Sequence, residues 1–262
     1  MPASPRAFDE LRPVSFQLGF VIHPEGSVLI SAGNTRVLCN ATVQETLPAW
    51  LKYSNKRHGW VTAEYAMLPR STAVRSNRET LTPKGRTQEI QRLIGRSLRS
   101  AVNLDRLGER QIIIDCDVLQ ADGGTRTASV TAACLALKMA EKKWLDRGII
   151  TQAVTRDVIG GISVGIYDGV PVLDPDCNED SSGQADVNFV LTKSGNIIEI
   201  QGTAETSPFS YDSFNTMYAL ACQGVSSILE TIEQQRTEVP SKQQKTPYKF
   251  GTLGSILTQK AS

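Results

Sequence analysis

Residues 112–140 leave this chain few ways to fold. Ile112-Ile113-Ile114-Asp115-Cys116-Asp117-Val118-Leu119 is rich in β-branched side chains and ends in polar–apolar alternation, the pattern of a strand with a buried face. It runs through Gln120-Ala121-Asp122-Gly123-Gly124 into Thr125-Arg126-Thr127-Ala128-Ser129, and from 130 to 140 the residues are almost all small or apolar, which predicts a helix buried on most sides. Such a glycine pair lets backbone N–H groups approach a ligand, and the first helical turn supplies unpaired donors and positive dipole density. Phosphate suits that position. Thr125 adds a hydroxyl and Arg126 a planar fork that matches two phosphate oxygens. The spacing matches neither the Walker A nor the dinucleotide pattern, and a plain tight turn is the competing reading.

The rest of the chain supplies strands before and after this unit. Strands are expected at 14–22, 27–31, 37–43 and 60–65, with turns at Gly26 and Gly33-Asn34. A polar connection is expected at 49–59 and a long, weakly periodic loop at 67–85. At 87–102 the period becomes helical, with Ile90, Leu93, Ile94, Leu98, Ala101 and Val102 on one face and Arg92, Arg96 and Arg99 on the other. Further strands follow at 157–166, 170–173, 187–191 and 197–201, then a helix at 211–235. Each half thus reads as strands followed by helix, an α+β fold of two related βαβ-like halves. One domain is expected over 1–240. The polar stretch from Arg236, and 241–262 in particular, reads as a disordered tail.

Charge narrows the function. The net charge is only +1, but residues 52–110 hold 13 Lys/Arg against 5 Asp/Glu, so a polyanion is expected there. Arg86 opens the basic helix, where the dipole disfavours a cation unless an anion joins it. The stretch 174–186 carries Asp174, Asp176, Glu179, Asp180 and Asp186, and crowded carboxylates need open solvent or a cation. With phosphate nearby, oxygen ligands favour magnesium or manganese, and Asp186, at the start of a strand, could face Asp180 across the turn. The five cysteines form no Cys-x-x-Cys pair, so neither a zinc site nor a disulfide framework is suggested. No signal peptide or membrane span is seen, and a cytoplasmic protein is expected. No Ser-His-Asp order or nucleophile elbow occurs. Phosphoryl transfer on a nucleic acid by a bound small nucleophile fits these parts.

Several blocks resemble the ribonuclease PH family of phosphate-dependent 3′-to-5′ exoribonucleases. They include Arg12-Pro13, Gly59-Trp60-Val61-Thr62-Ala63-Glu64-Tyr65, Met67-Leu68-Pro69-Arg70, Gly85-Arg86-Thr87, the segments 90–99 and 115–129, Glu179-Asp180-Ser181, Asp186-Val187-Asn188 and 199–205. The resemblance implies a ribosomal protein S5 domain 2-like fold in a homohexamer, a trimer of dimers. It implies that Arg86, Gly124, Thr125 and Arg126 hold inorganic phosphate as co-substrate. Asp180 and Asp186 would be catalytic and hold Mg2+ or Mn2+. Arg70, Arg75 and Arg78 would engage RNA such as tRNA precursor 3′ ends, with Arg92, Arg96 and Arg99 adding a basic helix face. Two departures are Pro5, where the family has glycine, and the tail beyond about residue 240. Two other readings are a non-catalytic RNA-binding subunit of an exosome-like ring and a hydrolytic metal-dependent nuclease.

Overall fold

Alternation decides which face each strand of the first sheet buries. In the computed structural model, which describes residues 6–55, 58–79 and 85–238, that sheet contains β1 (Val14–Leu18), β2 (Gly26–Ala32), β3 (Thr35–Gln44), β4 (Trp60–Met67) and β5 (Gln111–Gln120). The order is β1-β2-β3-β5-β4. Short α1 (Ala49–Lys52) lies between β3 and β4, and α2 (Gly85–Ala101) with short α3 (Leu104–Leu107) connects β4 to β5. β4 and β5 are parallel, Trp60 opposite Gln111 and Met67 opposite Val118, whereas the other neighbours are antiparallel. Val37, Cys39 and Ala41, Val61, Ala63 and Tyr65, and Ile112, Ile114, Cys116 and Val118 all turn to the buried face.

The second sheet, in order β7-β6-β8-β9, contains β6 (Ile159–Tyr167), β7 (Val170–Leu173), β8 (Ala185–Thr192) and β9 (Ile197–Ala204). Its pairings are all antiparallel, so the parallel βαβ crossover is confined to the first half. Short α5 (Cys177–Ser181) joins β7 to β8, and α6 (Tyr211–Glu238) packs on β6 and β7.

Between the two halves runs α4 (Thr125–Asp146), against β2 and β3 on one side and β6 on the other. Residues 127–137 are all buried, so this helix has no solvent stripe there, and its small residues let both sheets approach. Gly161 shows how closely: a Cβ on it would lie 2.7 Å from the carbonyl oxygen of Thr127.

Several boundaries differ from the sequence expectation for local reasons. β1 ends at Leu18 because Gly19 turns the chain at φ +68°. α1 occupies part of the expected 49–59 connection. α4 begins at Thr125, and the Ser129 hydroxyl donates to the Thr125 carbonyl at 2.8 Å, so polar residues are accommodated in its first turn. α6 continues through Glu238, so the first residues of the expected tail are helical. Residues 239–262, including the 241–262 tail, lie outside the described residues. No helix among the described residues is long and apolar enough to cross a membrane.

One buried charge ties α4 to the start of the second half. Glu141 accepts from the Val154 and Thr155 N–H groups at 2.7 and 2.6 Å and from Lys138 Nζ at 3.0 Å. Burial pushes its carboxyl up, but these bonds outweigh burial and hold it below the ordinary range. Glu141→Ala leaves two backbone donors unpaired and is expected to cost about 2–4 kcal/mol in denaturant unfolding. A carboxylate with a lowered folded-state pKa stabilises above its unfolded pKa. The wild type should therefore lose this contribution as pH falls through the acid range, narrowing its advantage over the variant.

Candidate phosphate and nucleic-acid site

β5 runs straight into the predicted cradle. Gly123 and Gly124 have φ +76° and +65°, a region that strains residues with a Cβ, and a Cβ on Gly123 would collide with the Pro175 carbonyl. Gly124 is the N-cap of α4 and provides no side-chain cap, so first-turn N–H groups lack that partner. The loop is fixed from behind. Asp122 N–H donates to Thr35 Oγ1 at 2.9 Å, Thr35 Oγ1 donates to the Gly123 carbonyl at 2.6 Å, and Arg12 Nη1 donates to the Asp122 carbonyl.

The cradle opens on a cleft of about 170 Å³ lined by Arg86, Thr125, Arg126, Ser163, Asp186 and Asn188, among others. Arg86 enters from the first turn of α2 and Arg126 from that of α4. Thr125 Oγ1 is 2.9 Å from the Tyr65 hydroxyl, which β4 delivers to the buried face. Burial raises the Tyr65 pKa against the pull of the Thr125 bond and the positive charges of Arg86 and Arg126. The phenol therefore stays protonated and can donate.

Asp186 is oriented by a buried chain of polar side chains across β6 and β8. Asn188 Nδ2 donates to Asp186 Oδ2 at 3.0 Å, Ser163 Oγ donates to Asn188 Oδ1 at 2.8 Å, and Thr127 Oγ1 lies 3.4 Å from Ser163 Oγ. Asn188 and Ser163 are 3% and 4% exposed. Register explains the meeting, since Ser163 pairs with Asn188 and Gly165 with Asp186. Sequence reasoning named Asp186 but missed Tyr65, Ser163 and Asn188 as parts of the site; for Asn188, the two-residue spacing from Asp186 on a strand was the available signal.

The acidic stretch resolves into separate tasks. Asp174 forms a buried ion pair with Arg12 at 2.6 Å, doubled by an Nε–Oδ2 bond at 2.9 Å. Glu179 pairs with Arg6 at 2.6 Å and accepts from Asp176 N–H at 2.9 Å. Asp176 Oδ1 accepts from Asn178 and Glu179 N–H at 2.8 and 2.9 Å, capping α5 between β7 and β8. Two of the offsetting cations are therefore N-terminal arginines. Asp186 is left facing the cleft. Asp180 is carried by α5, but its side chain lies outside the described residues. The oxygen donors at the cleft are of the hard type that suits Mg2+ or Mn2+.

The remaining basic residues fall in two places. Arg70, Arg75 and Arg78 are exposed on the segment after β4, whose Ser71 carbonyl accepts from Ala121 N–H at 2.8 Å, holding it beside the cradle. Residues 80–84 of the same expected loop lie outside the described residues. On α2, exposed Arg92 and Arg96 border a groove against β9, where Arg96 is 3.5 Å from Glu199. Burial raises the Glu199 pKa, opposed by Arg96, Arg92 and Arg99. Arg99 is turned away from that groove: its guanidinium lies 4.4 Å from the Trp60 ring centroid and donates to the Val61 carbonyl at 2.9 Å.

Known proteins resemble the chain in sequence and in fold. The description "3′ exoribonuclease family, domain 1" matches residues 10–143, and "domain 2" of the same family matches 157–224. Ribonuclease PH of Neisseria meningitidis serogroup C is 53% identical over 227 residues, covering 86% of this chain and 93% of that protein. Ribonuclease PH of Methylobacterium sp. (strain 4-46) is 53% identical over 236 residues, covering 89% and 99%. Among solved structures, a chain of the Archaeoglobus fulgidus exosome with RNA bound to the active site aligns with TM-score 0.74 at 22% identity, covering 87% of this chain and 91% of that one. Rice Rrp46 aligns with TM-score 0.71 at 17% identity, covering 88% and 98%. The fold is shared with these subunits, and by sequence the chain belongs to the ribonuclease PH family of 3′ exoribonucleases.

Proposed function

We propose that the chain is a phosphate-dependent 3′-to-5′ exoribonuclease that removes the terminal nucleotide of RNA as a nucleoside 5′-diphosphate. The observation that carries this reading is the convergence of Arg86, Thr125, Arg126 and Asp186 on one cleft at the N-terminus of α4. A hydrolase has no use for a second anion site beside the scissile phosphate; a phosphorolytic enzyme needs one.

Inorganic phosphate must approach an anionic phosphodiester, and two unit charges ~4 Å apart repel by ~4 kcal/mol at an effective dielectric of 20. Arg86 and Arg126 offset that repulsion, while Gly124 and Thr125 present backbone N–H and hydroxyl groups to the attacking phosphate. They hold its oxygen in line with the leaving 3′-oxygen of the penultimate ribose, the positioning effect on which phosphoryl transfer depends. Asp180 and Asp186 are the residues that would hold Mg2+ or Mn2+, and the metal, when bound, supplies charge stabilisation at the scissile phosphate. Asn188 keeps Asp186 aimed at the cleft, and one of the two carboxylates returns a proton to the leaving oxygen. Arg70, Arg75 and Arg78 receive the RNA backbone at the mouth, and exposed Arg92 and Arg96 extend the basic surface along α2. The step exchanges one phosphodiester for one phosphoanhydride, so it runs in reverse as nucleotidyl transfer. A cytoplasmic homohexamer acting on tRNA precursor 3′ ends completes the reading.

The test is incubation of the purified protein with 3′-extended tRNA precursor and Mg2+, with and without phosphate. Nucleoside diphosphates released only with phosphate are the expected result. Nucleoside monophosphates released without phosphate would make it a hydrolase, and tight RNA binding with no release would make it a non-catalytic subunit.

A further inference from the structure

The end of the first sheet farthest from the cradle carries an aromatic cluster that the chemistry does not use. Trp50, on α1, is 59% exposed and meets Trp60 edge-on at 4.8 Å between ring centroids, and Tyr53, at the C-cap of α1, is 85% exposed. Arg99 lies against Trp60 at 4.4 Å, and Lys52 is exposed between the two outer rings in sequence. Two large exposed rings beside a Trp60–Arg99 pair are of the kind on which flat bases stack.

α2 links this cluster to the phosphate cleft. Its first turn places Arg86 in the cleft, whereas its last turn places Arg99 on Trp60 and the Val61 carbonyl. Seventeen residues at ~1.5 Å each span roughly 25 Å, with Arg92 and Arg96 exposed between. An RNA strand whose 3′ end occupies the cleft and whose backbone follows those arginines would bring upstream bases to the rings.

We propose that Trp50 and Tyr53 form a stacking platform for upstream bases of single-stranded RNA, a second contact site distinct from the cleft. It rests on the exoribonuclease reading and commits to RNA because Arg99 lies against Trp60, the ring that Trp50 packs on, Lys52 is exposed between Trp50 and Tyr53 in sequence, and Arg92 and Arg96 are exposed along α2 toward the cleft. Stacking makes the platform tolerant of base identity and sensitive to RNA length.

The test compares a trinucleotide with an RNA of about twelve nucleotides, inside the ~4–16-nucleotide range of single-strand binding grooves. Tyr53→Ala, at a ring 85% exposed, and Trp50→Ala are each expected to raise KM for the longer RNA by about tenfold. The trinucleotide KM and the phosphate KM should not move, and Tyr53→Phe, which keeps the ring, should match wild type. Equal effects on both lengths, or none on the longer RNA, would overturn the proposal. So would a change of oligomeric state in sedimentation, which would make the cluster an interface between copies. Fluorescence anisotropy of the same RNAs without phosphate reads the platform independently of turnover: a length-dependent binding loss would uphold it even if the wild type released no diphosphates.

Discussion

Asp186→Asn is expected to lower phosphorolytic turnover by roughly 10²–10⁴-fold while RNA binding changes little. The substitution keeps the shape of the side chain and removes its charge at the mouth of β8, where Asp186 is only partly buried, so the fold should be retained. Asn188→Ala tests the same carboxylate from behind. It removes the Nδ2 donor 3.0 Å from Asp186 and is expected to cost about 10–100-fold, the usual effect of loosening a group that orients a ligand. Diphosphate release at saturating RNA and phosphate gives turnover, and direct Mn2+ binding followed by paramagnetic relaxation gives metal affinity. Turnover by Asp186→Asn equal to wild type would remove this carboxylate from the chemistry.

That experiment probes a part of the site that was only half legible in the sequence. Gly123-Gly124 could be read because two adjacent glycines between a strand and a helix have a local backbone reason, and the φ values of +76° and +65° supply it. The buried face of α2 could be read because a 3.6-residue period is local too. The roles of Arg6 and Arg12 could not. Their carboxylate partners lie 173 and 162 residues away, and nothing in the acidic stretch indicates which cation will meet it. The Asn188–Ser163 bond likewise requires the register of β6 on β8, which periodicity leaves open. α5 escaped because five residues carry no periodic signal, and its Asp176 cap sits among carboxylates that read as a group. Arg99 shares a helical face with Arg92 and Arg96, yet a neighbouring Trp60, set by tertiary packing, draws it to the sheet.

The arginines at the two helix starts offer a test in which activity and stability move apart. Arg126→Ala is expected to lower kcat/KM for phosphate by about 10²–10³-fold, and Arg126→Lys, which keeps the charge but loses the planar fork, by less. Arg86→Ala should act in the same direction from the start of α2. Each arginine sits beside the positive end of a helix dipole, an arrangement that costs ~0.3–1 kcal/mol when no anion is bound. Either alanine variant should therefore unfold no earlier than wild type in phosphate-free buffer, and slightly later if the dipole is the larger influence. Added phosphate reverses the order. At 100 times its dissociation constant, a ligand specific for the folded state stabilises by ~2.7 kcal/mol, so the wild type should gain a clear upward shift in Tm that the variants lack. Parallel melting curves with and without phosphate, read beside phosphate saturation of diphosphate release, check both halves. Loss of stability in phosphate-free buffer would mark Arg126 as structural, and an undiminished phosphate shift in the variant would place the anion elsewhere.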